Sequence, residues 1–77
     1  MPTVPGTGPW RVRFFGNDRN EPPHMHVDRD EATAKFWIGP VSLARNRGFR
    51  NRELREIMRM LEDQEPVLLE AWHGFFE

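Results

Sequence analysis

A chain of 77 residues with three tryptophans, six phenylalanines and no cysteine holds one small domain with one core, and excludes disulfide staples, thiolate metal sites and thiol nucleophiles. Its formal net charge of −1 gives no global attraction to a polyanion. No segment approaches the roughly 20 apolar residues that span a bilayer, so a cytoplasmic protein without membrane contact is expected, and a homodimer would add burial that so short a chain lacks.

The stretch 1–9 is rich in proline and glycine and has neither the basic start nor the apolar run of a signal peptide. It reads as a flexible arm ahead of a single domain over 10–77. Trp10–Phe15 is expected to be the first strand, with Trp10, Val12 and Phe14 on one face and Arg11, Arg13 and Phe15 on the other. Gly16-Asn17-Asp18 ends it. Pro22-Pro23 then favours extended backbone leading into a short second strand, His24–Asp28. A turn at Arg29-Asp30 leads to a third strand, Thr33–Ile38, with Ala34, Phe36 and Ile38 on one side and Thr33, Lys35 and Trp37 on the other. After Gly39-Pro40, Val41–Leu43 makes a short fourth strand that the proline keeps near a sheet edge.

From Asn51 the period becomes helical. Leu54, Ile57, Met58 and Leu61 form one apolar stripe, with Asn51 placed to cap it. A second helix begins at Pro66, which suits a first helical turn, and carries Leu68, Leu69, Trp72, Phe75 and Phe76 on its oily side. Strands first and helices last predict an α+β fold, a small antiparallel sheet of three to four strands covered on one face by two C-terminal helices. The core then takes Trp10, Val12, Phe14, Met25, Val27, Ala34, Phe36, Ile38, Val41 and Leu43. The other sheet face carries Arg11, Arg13, Phe15, His24, His26, Asp28, Lys35 and Trp37. It is cationic, imidazole-bearing and aromatic at once.

His24 and His26, two residues apart on a strand, would stand roughly 6.5–7 Å apart at their Cα atoms and could meet one phosphate or one ion. Three chemistries follow. In acid–base catalysis on RNA, one imidazole takes the 2′-hydroxyl proton and the other supplies the leaving oxygen, while Arg11, Arg13 or Lys35 holds the phosphate charge. In metal ligation, His24 and His26 converge on an ion with a carboxylate from Asp28 or Asp18, although neighbouring arginines oppose a cation. In binding without chemistry, Phe15 and Trp37 stack on bases or on a partner's side chains while the arginines track phosphates. The ordinary alternative for both histidines is a half-exposed strand residue bonded to backbone or to a neighbouring acid.

Charge is unevenly spread. Arg45, Arg47, Arg50, Arg52, Arg55 and Arg59 face only Glu53 and Glu56 in the same stretch, whereas Met60 to Glu77 holds five acids and no Lys or Arg. The plain account of the arginine run is a solvated helix face with local ion pairs. Ten arginines to one lysine favour bidentate contacts with phosphate or carboxylate. His73 is expected to pack or cap at the edge of the second helix.

Four blocks in one order, Glu21-Pro22-Pro23-His24-Met25-His26-Val27, Ala34-Lys35-Phe36-Trp37, Gly48-Phe49 followed by Glu53-Leu54-Arg55-Glu56-Ile57, and Leu68-Leu69-Glu70-Ala71-Trp72-His73, resemble a prokaryotic family, the domain of unknown function numbered four-one-six-zero. The resemblance runs from about Trp10 to the end. It implies a small protein whose gene lies beside that of another short protein, an arrangement that suits a toxin–antitoxin-like module, and it brings no catalytic assignment and no cofactor. The expectation is an interaction protein engaging a protein partner or RNA through the face of His24, His26, Arg11, Arg13, Phe15, Lys35 and Trp37. An RNA-cleaving enzyme using His24 and His26 comes second and a metal-binding protein third.

Overall fold

Alternation along the first half of the chain and helical periodicity along the second become a sheet and a helical layer in the computed structural model, which describes residues 3–4, 7–16 and 18–77. Among these residues the strands are β1 (Thr3–Val4), β2 (Arg11–Arg13), β3 (His24–Arg29), β4 (Ala32–Trp37) and β5 (Ser42–Arg47), followed by α1 (Asn51–Asp63) and α2 (Glu65–Phe76). All neighbouring strands pair antiparallel, in the order β1-β2-β3-β4-β5. This is the α+β arrangement expected. Of the stretch 1–9, Thr3 and Val4 pair with Arg13 and Val12 to add a short edge strand; residues 1, 2, 5 and 6, and Asn17 in the turn after β2, lie outside the described residues.

The core sits between the sheet and the helices. Val12, Phe14, Met25, Val27, Ala34, Phe36 and Ile38 from the sheet side meet Ile57 and Leu61 of α1 and Leu68 and Trp72 of α2, all buried. Three residues assigned to the core lie further out. Trp10 and Val41 are half-buried, and Leu43 is 42% exposed on β5, the last strand of the sheet. On α2, Phe75 is likewise 51% exposed.

β5 runs to Arg47, four residues beyond the fourth strand expected at Val41–Leu43. A register shift between Lys35 and Phe36 lets pairing continue, with Leu43 opposite Phe36, then Arg45, Asn46 and Arg47 opposite Lys35, Ala34 and Thr33. The turn that follows seats Phe49, a buried residue with no periodic pattern around it. Asn46 Nδ2 donates to the Phe49 carbonyl at 2.9 Å, and the Phe49 N–H donates to Asn46 Oδ1 at 3.1 Å. Gly48 makes the turn at φ +100°, and a Cβ there would stand 3.2 Å from Cα and Cβ of Ala32. Gly48→Ala is therefore expected to cost about 1–3 kcal/mol, whereas Gly74→Ala on α2, where an added methyl meets nothing, should gain about 0.5–1 kcal/mol. Urea unfolding midpoints of the two variants should move in opposite directions.

The start of α1 differs by one residue from the expected cap. Arg50 holds the N-cap position in extended backbone and Asn51 is already helical; the Arg50 N–H donates to Glu53 Oε1 at 3.2 Å, so the glutamate three residues on satisfies a terminal donor.

Candidate interaction face on the sheet

Residues directly opposite one another on antiparallel strands share a face, so the register fixes what the helix-free side presents. Arg11 stands opposite Asp28 and Arg13 opposite His26. His24, His26 and Asp28 in turn stand opposite Trp37, Lys35 and Thr33. The expected residues are thus brought onto one face. Arg45 and Arg47 join them through their places opposite Lys35 and Thr33. From the sequence alone these two belong to an arginine run whose plain account is a solvated helix face; the signal that points instead to a strand is their own alternation, Arg-x-Arg, ahead of the Gly48 turn.

Much of this face is internally bonded. Arg13 Nη2 lies 2.5 Å from Asp28 Oδ2, and Thr33 Oγ1 donates to Asp28 Oδ1 at 2.7 Å. Lys35 Nζ lies 2.5 Å from Glu21 Oε1 and 4.7 Å from the centre of the Trp37 ring. The Arg13 guanidinium sits 5.5 Å from the Phe15 ring centre, and that ring packs 4.6 Å from His26. By contrast, Arg45 and Arg47 are exposed, and among the described residues no carboxylate comes within ion-pair distance of either. A depression of about 460 Å³ opens between these two and His26, Thr33 and Lys35.

His24 departs from the expected surface. Its ring lies beside that of His26, 5.1 Å between centroids and nearly perpendicular, so the pair does share a face. It is nonetheless 0% exposed. The Trp72 ring of α2 lies 5.1 Å away and the Trp37 ring 5.7 Å away, so another element closes over the end of β3. Nδ1 is 3.0 Å from the Pro22 carbonyl, and since a carbonyl only accepts, Nδ1 carries the proton and donates. The neighbouring backbone is fixed as well, because the Ile38 N–H donates to the Pro23 carbonyl at 3.0 Å. His26 is half-buried.

The carboxylate offered to a metal, Asp28, has both oxygens engaged by Arg13 and Thr33. Among the described residues no group of three His, Cys, Asp or Glu is placed to hold an ion; the side chain of Asp18 lies outside them. His73, kept apart from the site, is exposed and pairs with Glu77 at 2.7 Å.

The model of the family described as domain of unknown function (DUF4160) matches residues 10–73. The chain belongs to this family. The DUF4160 match takes in β2 to β5, α1 and most of α2, so both the candidate face and the element that closes over His24 fall within it. Comparison with curated proteins and with solved structures gave no match. Among the described residues no helix of the DUF4160 domain is long and apolar enough to cross a membrane.

Proposed function

We propose that this DUF4160 domain is a small interaction protein, one half of a two-protein, toxin–antitoxin-like module, and that it meets a protein partner through the helix-free sheet face. The observation that carries this reading is the cationic margin of that face. Arg45 and Arg47 project from an exposed strand without a carboxylate in reach among the described residues, so their charge is available to an acidic surface. Guanidinium groups suit bidentate contact with carboxylates.

A protein is favoured over RNA because the rings that would stack on bases already carry cations of their own chain, Lys35 on Trp37 and Arg13 beside Phe15. Base stacking would first have to displace them. The RNA-cleaving alternative needs two imidazoles within reach of one phosphate, and His24 is enclosed with Nδ1 spent on the Pro22 carbonyl. His26 alone stands partly open to solvent.

Co-expression with the product of the adjacent gene tests the proposal. The two proteins should co-purify, and the combined Arg11→Ser, Arg45→Ser and Arg47→Ser variant should weaken the complex at least tenfold while melting like the wild type. Absence of a complex, or one indifferent to the three changes, defeats the reading. Labelled RNA in the same assay separates the other classes, since retention lost in the triple variant favours RNA binding and cleavage lost on His26→Ala favours the enzyme.

A further inference from the structure

We infer that the open edge of β5 receives an extended segment of the partner as an added strand, and that this segment alternates acidic with apolar residues. The inference rests on the protein-partner reading above and names the surface and the kind of segment. β5 ends the sheet, and among the described residues no strand pairs with its outer edge. All six of its residues, Ser42 to Arg47, are exposed. Such an edge offers a row of backbone donors and acceptors that a second chain can complete.

The two sides of that edge differ in chemistry. On the helix-free side an incoming strand passes Arg45 and Arg47. On the helical side it passes an apolar groove of about 240 Å³ lined by Phe36, Leu43, Asn51, Leu54, Arg55 and Met58. The groove floor is core material, since Phe36 is fully buried, and its rim carries the exposed Leu43. Side chains of an added strand alternate between these two sides. Every second residue thus meets guanidinium groups and the residues between meet the groove.

A second copy of this chain does not fit. Antiparallel pairing of β5 with itself would gather Arg45 and Arg47 of both copies within a few residues, and like charges placed opposite one another destabilise a sheet. Charged residues and a register irregularity on an edge strand are also the ordinary protection against aggregation. Here the two roles coincide. Arginines that repel another copy of β5 select for an edge that brings carboxylates.

The probes are two synthetic peptides of one composition, an alternating Glu-Val-Glu-Leu-Glu-Val-Glu and a blocked Glu-Glu-Glu-Glu-Val-Leu-Val, titrated into isotopically labelled full-length protein and followed by backbone amide shifts. The alternating peptide should bind at least tenfold more tightly than the blocked one, with its shifts centred on residues 42–47. Leu43→Glu should remove most of that binding, as should Arg45→Glu with Arg47→Glu. These are exposed positions, and a melting curve confirms that each variant folds. Equal binding of the two peptides, shifts centred elsewhere, or indifference to Leu43→Glu overturns the inference. No natural partner enters this test, so its failure leaves the two-protein reading to the co-purification result.

Discussion

Trp72→Ala is expected to lower the free energy of unfolding by about 3–5 kcal/mol. Trp72 is 5% exposed. Its ring lies 5.2 Å from Phe14, 4.5 Å from Phe76 and 5.1 Å from His24, so it joins α2 to β3 and to the residue that follows β2. An aromatic ring buries roughly 150–250 Å², a large share of the apolar area in a domain this small. For such a domain each kcal/mol moves the thermal midpoint by about 4–8 °C, so the variant should melt more than roughly 10 °C below wild type or fail to fold at 37 °C. Phe75→Ala is the comparison, because Phe75 meets Phe14 edge-on at 5.3 Å but is half exposed; its loss should cost about 1 kcal/mol. Circular dichroism through thermal and urea unfolding measures both, and a Trp72→Ala loss no larger than that of Phe75→Ala would show that the ring cluster does not tie the layers together.

The same cluster marks the boundary of what the sequence reveals. Alternation assigned faces correctly through β2, β3 and β4, because each has a buried side and a one-residue slip would expose Val12, Val27 or Phe36 to water. It reached only the start of β5, as the short strand expected at Val41–Leu43, and did not extend it to Arg47. Ser42 to Arg47 is exposed on both sides, so no burial constrains its pattern, and a strand held by backbone pairing alone leaves little trace in side-chain order. Phe49 was missed for a related reason: a single apolar residue among arginines has no period, and only the Asn46 and Gly48 chemistry around it announces a turn. The helices were legible to within a residue or two, apart from the substitution of Arg50 for Asn51 at the cap. On the candidate site, strand parity placed His24 on the right face without predicting its burial. Parity states which way a side chain points, whereas closure by Trp72 depends on a helix more than forty residues later. Which molecule the proposed face would meet is not legible at all, since half of any such recognition would be written in another chain.

Burial of His24 also changes how any functional mutation there must be read. His24→Ala should destabilise the domain by about 2–4 kcal/mol, because it leaves a cavity among His26, Trp37 and Trp72 and strips the Pro22 carbonyl of its donor. His26→Ala removes a half-buried ring whose contact with Phe15 spans 4.6 Å, for a cost of about 1 kcal/mol. Matching losses of binding or cleavage in the two alanine variants would therefore have different origins, the first following the unfolded fraction and the second the surface. His24→Asn separates them. Its side-chain amide can place an N–H near the position of Nδ1 and donate to the Pro22 carbonyl, so stability should recover in part although no imidazole remains. If position 24 acts by holding β3 and Trp72 together, partner binding should return in His24→Asn in proportion to the folded fraction measured by circular dichroism. A folded His24→Asn protein that stays inactive while His26→Ala retains activity would instead assign chemistry to the buried ring, and would require the end of α2 to open before it could be reached.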